Sequence, residues 1–373
     1  MAYIVDLRSD TVTKPTEAMK RAMVESAIGD DVYQEDPTVN ALETKIANLL
    51  GKQAALFVPS GTMSNLIAIM VHCNKRGSEA IVGDKTHIFK YEVGGAAHLA
   101  GVLLTTISNK SDGTFDLTEF VSKIRGTDLH EPTTSLVAIE NTHNYCGGKV
   151  LPLKWIDELA ELCKKHSIPI HMDGARLFNA CEYLKEPPAR IARDCASVSV
   201  CFSKGLSAPV GSCLVGSYHF IEQARKVRKM LGGGMRQAGV LAAAAIVALD
   251  EVLPRLGLDH QRAKRLAWVV QGLLLKSFSV DVEGQHSNIV LVRIAADSPL
   301  TAPRVVERLG QVCHAETQGD CKTANDEGVI LKCIYFNEKT IRFTVHHDIA
   351  DEDLWLAIMK ITYVFKEIDA ETK

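Results

Sequence analysis

Residues 168–205 include IPIHMDGARLFNA and ASVSVCFSKG, two apolar segments joined by a helical passage. Residues 168–172 form a short apolar run closed by a glycine, which predicts a buried parallel strand with Asp173 at its carboxyl end. Residues 197–202 form a second, β-branched run, and the turn that leaves it contains Lys204. The two runs predict two buried strands of one α/β sheet.

Asp173 and Lys204 both follow the end of a predicted strand. Ligands of open α/β sheets bind outside the carboxyl ends of the strands, so we expect both side chains to face one crevice. A lysine and a carboxylate in that arrangement suit pyridoxal phosphate, because the amine forms a Schiff base with the aldehyde and the acid holds the pyridine nitrogen protonated. Each residue alone also has an ordinary explanation, since turn lysines are commonly solvated and an aspartate after a strand commonly caps a helix.

The composition is ordinary for a globular protein that acts on small molecules. The chain has 373 residues, 46% of them hydrophobic and 23% charged, and its net charge of −3 provides no basic surface for nucleic acid. Ten cysteines occur without a CxxC pair, which fits a reduced intracellular compartment. The start MAYIVDLRSD lacks the apolar core of a signal peptide, and no apolar run reaches about 18 residues. We therefore expect a cytoplasmic enzyme without a membrane or nucleic-acid partner.

A strand, a turn of small residues and a helix follow one another early in the chain. Residues 54–58 predict the strand, PSGT at 59–62 forms the turn, and residues 63–74 predict the helix. Backbone N–H groups and the helix dipole point at such a turn, so it is suited to bind an anion. Ser-Gly-Thr is most often a simple helix cap, so by itself it is a weak signal.

Two further predicted strands end in segments that contain histidine. Residues 80–83 lead to His87 in a predicted loop, and residues 136–139 end in the polar sequence ENTHN, which contains His143. Strands and helices alternate from residue 54 to residue 215, a pattern typical of a mostly parallel sheet with helices on both faces.

The last third of the chain predicts a second domain. The composition changes near residue 254 to a basic amphipathic helix, followed by strands and a final helix. We predict a large domain at residues 1–250, of which residues 1–14 form an arm that reaches the site, and a smaller α+β domain at residues 251–373. The polar segment 315–327 is predicted to be a loop.

Several longer sequence blocks extend this interpretation. They are DLRSDTVTKP, GDDVYQEDPTVNALE, PSGTMSN, ENTHN with GGKVLP, HMDGARLFNA, SKGLSAPVGS, RKMLGGGMRQAG and IRFTVHHD. In this order they resemble the low-specificity L-threonine aldolases, which are fold-type I enzymes dependent on pyridoxal phosphate. The match covers most of residues 6–250 and returns near Arg342. Residues 260–339 match less well, and the loop around Cys321 is longer than expected for bacterial members.

The resemblance implies a fold-type I α/β fold and a set of cofactor residues. Lys204 would carry pyridoxal phosphate as a Schiff base, Asp173 would pair with the pyridinium, and His87 would stack on the ring face. A glycine and a threonine of the PSGT turn would hold the phosphate, with an arginine from the glycine-rich turn. The implied cofactor-binding residues are Lys204, Asp173, His87, Gly61, Thr62, Arg176 and Arg236.

The resemblance also implies a reaction, the cleavage of L-threonine or L-allo-threonine to glycine and acetaldehyde. His143 would take the proton of the β-hydroxyl, since histidine is suited to accept a proton near neutral pH. Arginine would clamp the substrate carboxylate through two hydrogen bonds. The implied catalytic residues are Lys204, His143, His87 and Asp173, and the implied substrate-binding residues are Ser9, Arg176, Arg342, His143 and Tyr91. Members of this family are commonly homotetramers, arranged as a dimer of dimers, and serve threonine catabolism and glycine biosynthesis.

Three alternatives share parts of this evidence. A β-eliminating lyase, a hydroxymethyltransferase-like enzyme or an aminotransferase would use the same lysine and aspartate, and product analysis separates them. A non-catalytic homologue that binds the cofactor would keep the fold without turnover. A nicotinamide dehydrogenase needs a glycine fingerprint between a strand and a helix, which the sequence lacks.

No histidine or cysteine spacing is typical of zinc, so no metal ligand is predicted. The sequence leaves open the preference for threonine or allo-threonine, the physiological aldehyde, the number of subunits and cation binding.

Overall fold

The computed structural model describes residues 2–319 and 321–371. The chain forms two compact units, which we call the large unit (Pro15–Pro254) and the C-terminal unit (Met1–Lys14 with Arg255–Lys373). Among the described residues, no helix is both long and apolar enough to cross a membrane.

The elements are numbered along the whole chain. The strands are β1 (Tyr3–Asp6), β2 (Ala54–Val58), β3 (Ser78–Gly83), β4 (Leu103–Ile107), β5 (Thr133–Glu140), β6 (Ile170–Gly174), β7 (Ser197–Cys201), β8 (Ser212–Gly216), β9 (Phe278–Val280), β10 (Ile289–Ile294), β11 (Val329–Lys332), β12 (Ile334–Asn337) and β13 (Thr340–Thr344). The helices are α1 (Glu17–Glu25), α2 (Pro37–Leu49), α3 (Gly61–His72), α4 (His87–Lys90), α5 (Gly95–His98), α6 (Leu117–Lys123), α7 (Leu153–His166), α8 (Leu177–Leu184), α9 (Pro188–Ile191), α10 (Tyr218–Met230), α11 (Gly239–Val247), α12 (Leu256–Gly272), α13 (Ala302–Leu309), α14 (His314–Gln318) and α15 (Asp351–Glu371).

The large unit contains a seven-stranded sheet in the order β2-β8-β7-β6-β5-β3-β4. All its pairs are parallel except those of β8, which runs antiparallel to both β2 and β7. Residues 202–211 join β7 to β8, and so short a connection cannot make the crossover that a parallel pair needs. The predicted α/β class with a mostly parallel sheet is confirmed.

The two strands that decide the fold lie side by side. β6 pairs with β7 in parallel, with Asp173 opposite Ser199, and every residue of both strands is buried, as in sheets covered on both faces. β6 begins two residues later than predicted, because Pro169 precedes it and contributes only its carbonyl to Val137 of β5. The carboxyl ends of β6 and β7 therefore meet at one edge of the sheet.

The C-terminal unit contains a four-stranded antiparallel sheet, β12-β13-β10-β9, and a two-stranded sheet, β1-β11. Apolar side chains of α12, α13 and α15 form a core with these strands. Residues 1–14, which we had assigned to the large domain as an arm, belong to this unit, because β1 pairs in parallel with β11. The predicted loop at 315–327 overlaps α14, whose Glu316 is buried and pairs with Lys360.

Candidate active site

Asp173 is the second-last residue of β6 and is buried, with an exposed fraction of 3%. Its Oδ1 accepts a hydrogen bond from the backbone N–H of Ala175 at 3.1 Å, and its Oδ2 accepts one from the side-chain amide of Asn65 at 2.9 Å. Asn65 lies on α3 and is itself buried. Each carboxylate oxygen of Asp173 therefore has one donor from the chain, and the carboxylate is held in one orientation.

Asn65 also joins Asp173 to Glu92. Its Nδ2 donates to Glu92 Oε1 at 2.8 Å, and the same oxygen lies 2.9 Å from His87 Nδ1. The opposite rotamer of the Asn65 amide would turn its carbonyl oxygen toward two carboxylates, so the amide orientation is fixed by charge. Three atoms that could bind a metal ion, one each from His87, Glu92 and Asp173, lie within 4.8 Å of one another. A cation there would meet the amide hydrogens of Asn65, and we therefore interpret the group as a hydrogen-bonded cluster.

His87 and Glu92 share a hydrogen bond and shift each other's pKa. Burial alone would lower the pKa of His87, but the hydrogen bond to Glu92 and the negative charges of Asp173 and Glu92 outweigh it and raise this pKa. Burial likewise raises the pKa of Glu92, against its hydrogen bonds to His87 and Asn65. Both pKa values therefore lie above their ordinary values.

Lys204 lies three residues beyond the end of β7, in a turn closed by a hydrogen bond of 2.8 Å from Ser207 N–H to the Lys204 carbonyl. The side chain is half-buried. Its positive charge lowers the pKa of His87, which means that the ammonium acts on the imidazole beside Asp173. The lysine and the aspartate predicted from the sequence therefore both affect the pKa of His87, in opposite directions.

The first turn of α3 lies beside the end of β7. A Cβ added to Gly61 would come within 2.7 Å of Cys201 Sγ, so a side chain at this position would displace the turn. Ser60 caps the helix by accepting a hydrogen bond from Met63 N–H at 3.2 Å. The exposed Thr62 and the free end of the helix form a geometry that is suited to bind an anion.

Arg236 follows the glycine-rich turn after α10. That turn packs on the start of α3, since a Cβ added to Gly233 would come within 2.3 Å of Met63 Sδ. The guanidinium of Arg236 forms an ion pair with Asp30 at 3.0 Å and is about half exposed. The structure therefore brings Arg236 to Asp30, and its predicted contact with a phosphate stays a prediction.

The ENTHN segment after β5 is tied to α4 through Glu140. One carboxylate oxygen of Glu140 accepts from Asn144 N–H at 2.8 Å and the other accepts from His87 N–H at 2.6 Å. Arg176, buried at the start of α8, reaches Asn144 Oδ1 at 3.5 Å. His87 begins the short helix α4 and does not lie in the predicted loop. Glu140 stabilises the start of this helix by accepting a hydrogen bond from its first N–H group.

His143 differs from the other polar residues of this edge. The side chain is fully buried, and among the described residues neither ring nitrogen has a hydrogen-bond partner. The same holds for Asn141 Nδ2 and Thr142 Oγ1. Buried polar atoms are nearly always satisfied, so a group of four orphaned atoms in one turn fits a place where a polar ligand or water binds.

Known proteins show the same combination of sequence and fold. The family model described as "Beta-eliminating lyase" matches residues 6–296. Low-specificity L-threonine aldolase 1 of Arabidopsis thaliana is 46% identical over 354 residues, which cover 94% of this chain and 93% of the relative. The chain belongs to the low-specificity L-threonine aldolase family. The low specificity L-threonine aldolase of Escherichia coli strain K12 is also 46% identical, over 79% of this chain and 86% of its own length.

A solved structure supports the fold of this aldolase-family chain. The threonine aldolase of Leishmania major superposes with a TM-score of 0.74 at 19% identity and covers 98% of this chain and 99% of its own. At that identity the likeness concerns the fold alone. The fold-type I class that the sequence blocks implied is confirmed.

The remaining predicted residues fall into both units of this aldolase-family chain. In the large unit, the ring of Tyr91 lies 5.6 Å from that of His87, and the side chain is partly exposed. In the C-terminal unit, Ser9 caps a short helical turn, and Arg342 of β13 is buried, with hydrogen bonds to the Arg8 carbonyl at 3.2 Å and to Thr344 Oγ1 at 3.1 Å. The assignment of Ser9 and Arg342 to substrate binding stays a prediction.

Sequence reasoning missed the residues that support Asp173 and His87. They are Asn65, Glu92, Glu140, His171, Ser197 and His72. One signal was present: His171 stands two positions before Asp173, so strand periodicity places both on the same face of β6. Asn65 carried no local signal, because its partner Asp173 is 108 positions away. Glu92 is five positions from His87 but 27 positions from Asn65, its other partner.

Proposed function

We propose that the chain is a pyridoxal-phosphate-dependent L-threonine aldolase that cleaves L-threonine and L-allo-threonine to glycine and acetaldehyde. Membership of the aldolase family supports this function. The observation that carries it is geometric: Asp173 and Lys204 lie at the carboxyl ends of the paired parallel strands β6 and β7, beside the cluster of His87 and Glu92. The combination suits this cofactor better than any single residue does, because it provides an amine, a carboxylate and a helix start that can bind an anion.

The residues of the large unit fit the parts of pyridoxal phosphate one by one. Lys204 would hold the aldehyde carbon, and Asp173, oriented by two donors, would accept the hydrogen of the ring nitrogen. The start of α3 with Gly61 would hold the phosphate, and His87 would cover the ring face. When bound, the cofactor supplies an electron-accepting ring that stabilises negative charge at Cα of the substrate.

His143 would supply the base. Cleavage of the Cα–Cβ bond requires loss of the β-hydroxyl proton, and an imidazole nitrogen that has no partner among the described residues can accept it. Burial of His143 excludes bulk water from that nitrogen. Arg176, a buried cation that contacts Asn144, would bind the substrate carboxylate. His143 would then return the proton as the products leave.

β-Elimination is the second candidate, because the matching family model carries that description. Both reactions would use Lys204 and Asp173, but they break different bonds of the same substrate. Aldol cleavage of L-threonine yields equal amounts of glycine and acetaldehyde, whereas elimination of the hydroxyl yields 2-oxobutanoate and ammonia.

The experiment is product analysis with the full-length protein and pyridoxal phosphate. L-threonine, L-allo-threonine and L-serine are supplied separately, and acetaldehyde is followed through NADH consumption by alcohol dehydrogenase while 2-oxobutanoate and ammonia are assayed in parallel. We expect acetaldehyde from both threonine isomers and no 2-oxobutanoate. The reverse product pattern would establish elimination, and no product at all would favour a non-catalytic homologue.

We further infer a cytoplasmic homo-oligomer, a dimer of dimers, that serves threonine catabolism and glycine biosynthesis. The ten cysteines are free, which suits a reducing compartment. The assembly and the metabolic role rest on the resemblance to the family. Light scattering after gel filtration measures the assembly, and we expect four copies of the 40.8 kDa chain.

A further inference from the structure

A chain of four hydrogen bonds runs from the end of α3 to Asp173, behind the cluster described above. His72 Nε2 lies 2.8 Å from Ser197 Oγ, and His171 Nδ1 lies 2.9 Å from the same oxygen. His171 Nε2 lies 3.0 Å from Asn65 Oδ1, and Asn65 Nδ2 donates to Asp173 Oδ2 at 2.9 Å. Four of the five residues are fully or nearly fully buried, and His72 is partly buried.

The hydrogen bonds can run in only one direction. Asn65 turns its amide hydrogens to Glu92 and Asp173, so its carbonyl oxygen must accept a hydrogen from His171 Nε2. A neutral His171 then accepts through Nδ1, and the hydrogen in that bond comes from the hydroxyl of Ser197. Ser197 in turn accepts from His72. Every donor in the chain points toward the Asp173 carboxylate.

The burial of both histidines agrees with this direction. Burial lowers the pKa of His171 to about 4, and burial together with the nearby His171 lowers the pKa of His72 to about 3. Both rings are therefore neutral at pH 7, with one hydrogen each. The direction of the hydrogen bonds places this single hydrogen on Nε2 in both rings.

We propose that Asn65, His171 and Ser197 are positioning residues that orient the Asp173 carboxylate toward the ring nitrogen of the cofactor. The proposal rests on the proposed cofactor. Asn65 is the central residue, since it donates to both Asp173 and Glu92. Without its two hydrogens, the carboxylates would face each other within 4.8 Å, and their repulsion would turn Asp173 from its position. His171 and Ser197 act one step further away, by preventing rotation of the Asn65 amide.

The first test measures the affinity of the cofactor-free, full-length protein for pyridoxal phosphate. Asn65→Ala should weaken it roughly 10- to 100-fold, the scale for loss of a hydrogen bond to a charged group. Asn65→Asp keeps the shape and places a third carboxyl in the cluster, so it should weaken binding at least as much. Ser197→Ala should weaken it about 5-fold, the scale for one neutral hydrogen bond.

Ser199→Ala is the matched control. Ser199 lies on the same strand as Ser197, is equally buried, pairs with Asp173 in the β6–β7 register, and its hydroxyl has no partner among the described residues. If the hydrogen-bond chain to Asp173 supports cofactor binding, Ser197→Ala weakens the affinity for pyridoxal phosphate and Ser199→Ala changes that affinity less than about 2-fold. Equal losses in both variants, or wild-type affinity in Asn65→Ala, would overturn the inference.

The second test requires no folded variant of Asn65. ¹⁵N spectra of the histidine-labelled protein report which ring nitrogen carries the hydrogen, and the spectrum of His171→Gln identifies the His171 signals. We expect His171 to be neutral and protonated on Nε2 from pH 5.5 to 8. A hydrogen on Nδ1 would overturn the inference. Neither test uses turnover: the expected affinities without aldehyde release would refute the proposed function alone, and wild-type protein that binds no pyridoxal phosphate would refute both.

Discussion

Two neighbouring corners of one sheet edge differ in how their polar atoms are satisfied. At the Asp173 corner, the end of β6, both carboxylate oxygens accept hydrogen bonds from Asn65 and Ala175. At the His143 corner, the turn after β5, neither ring nitrogen has a partner among the described residues. The two corners are adjacent, because Asn141 N–H donates to the Asp173 carbonyl at 3.0 Å.

The difference separates two tasks within one site. A buried polar atom without a partner costs about 1–3 kcal/mol, so the chain is destabilised at the His143 corner and stabilised at the Asp173 corner. A group that must hold a cofactor in one orientation benefits from full support by the chain. A group that must exchange a proton with a reactant keeps its nitrogen available. The comparison therefore predicts that changes at the two corners affect different measurements.

The largest effect is expected from Lys204, the residue that we propose to hold the cofactor. Lys204→Ala should lower aldehyde release by about 10³-fold or more, because it removes the amine that we propose as the nucleophile. The fold should persist, since the side chain is only half-buried in a turn. Pyridoxal phosphate should still bind without a covalent bond if the Asp173 corner is organised in advance. Borohydride should label Lys204 in the wild type, and a label on another residue would contradict the assignment.

The next effect concerns the His143 corner alone. His143→Ala should slow aldehyde release by about 10²-fold, the usual scale for a general base. The affinity for pyridoxal phosphate should change little, because that affinity depends on the Asp173 corner. Steady-state rates and a cofactor titration on the same preparation separate the two. A wild-type rate would transfer the role to His87 or to water, and a large loss of cofactor would make His143 a cofactor residue.

The Asp173 corner should make the protein sensitive to acid. The pKa of His171 is about 4 in the folded protein against an ordinary value of 6.5, so the unfolded chain binds more protons between these values and stability falls as the pH falls through that window. Between pH 7.5 and pH 4.5 we expect the free energy of unfolding to fall about 2–3 kcal/mol more in the wild type than in His171→Gln. Urea unfolding at both pH values measures this. The same pH sensitivity in both proteins would show that His171 is charged or exposed in the folded state.

The smallest effect is a change of stability with opposite signs at the two corners. His143→Leu should raise the free energy of unfolding of the cofactor-free protein by about 1 kcal/mol, because it removes two buried nitrogens that have no partner in the described part of the chain. Asn65→Leu should lower it by about 1–3 kcal/mol, since it leaves Asp173, Glu92 and His171 without their shared partner. Urea titrations of the two variants provide the comparison. Destabilisation by both variants would mean that the His143 corner is also satisfied within the chain.

The sequence alone determined the local features of the site. Strand 54–58 was predicted with its observed bounds, and Asp173 and Lys204 were assigned to the ends of β6 and β7, because short apolar runs and the residues that close them act over a few positions. The alternation of strands and helices was enough to predict a mostly parallel sheet. The family blocks added the residues whose roles depend on chemistry that periodicity cannot reveal.

Only the tertiary structure decided which of these local features support one another. Asn65 meets Asp173 across 108 positions, and His171 meets Ser197 because β6 and β7 pair in one particular register. Strand periodicity defines the two faces of a strand, but neither the neighbouring strand nor the helix that covers it. The residues that orient Asp173 are therefore set by long-range packing, whereas the residues expected to perform the chemistry lie at strand ends that a single sequence can identify.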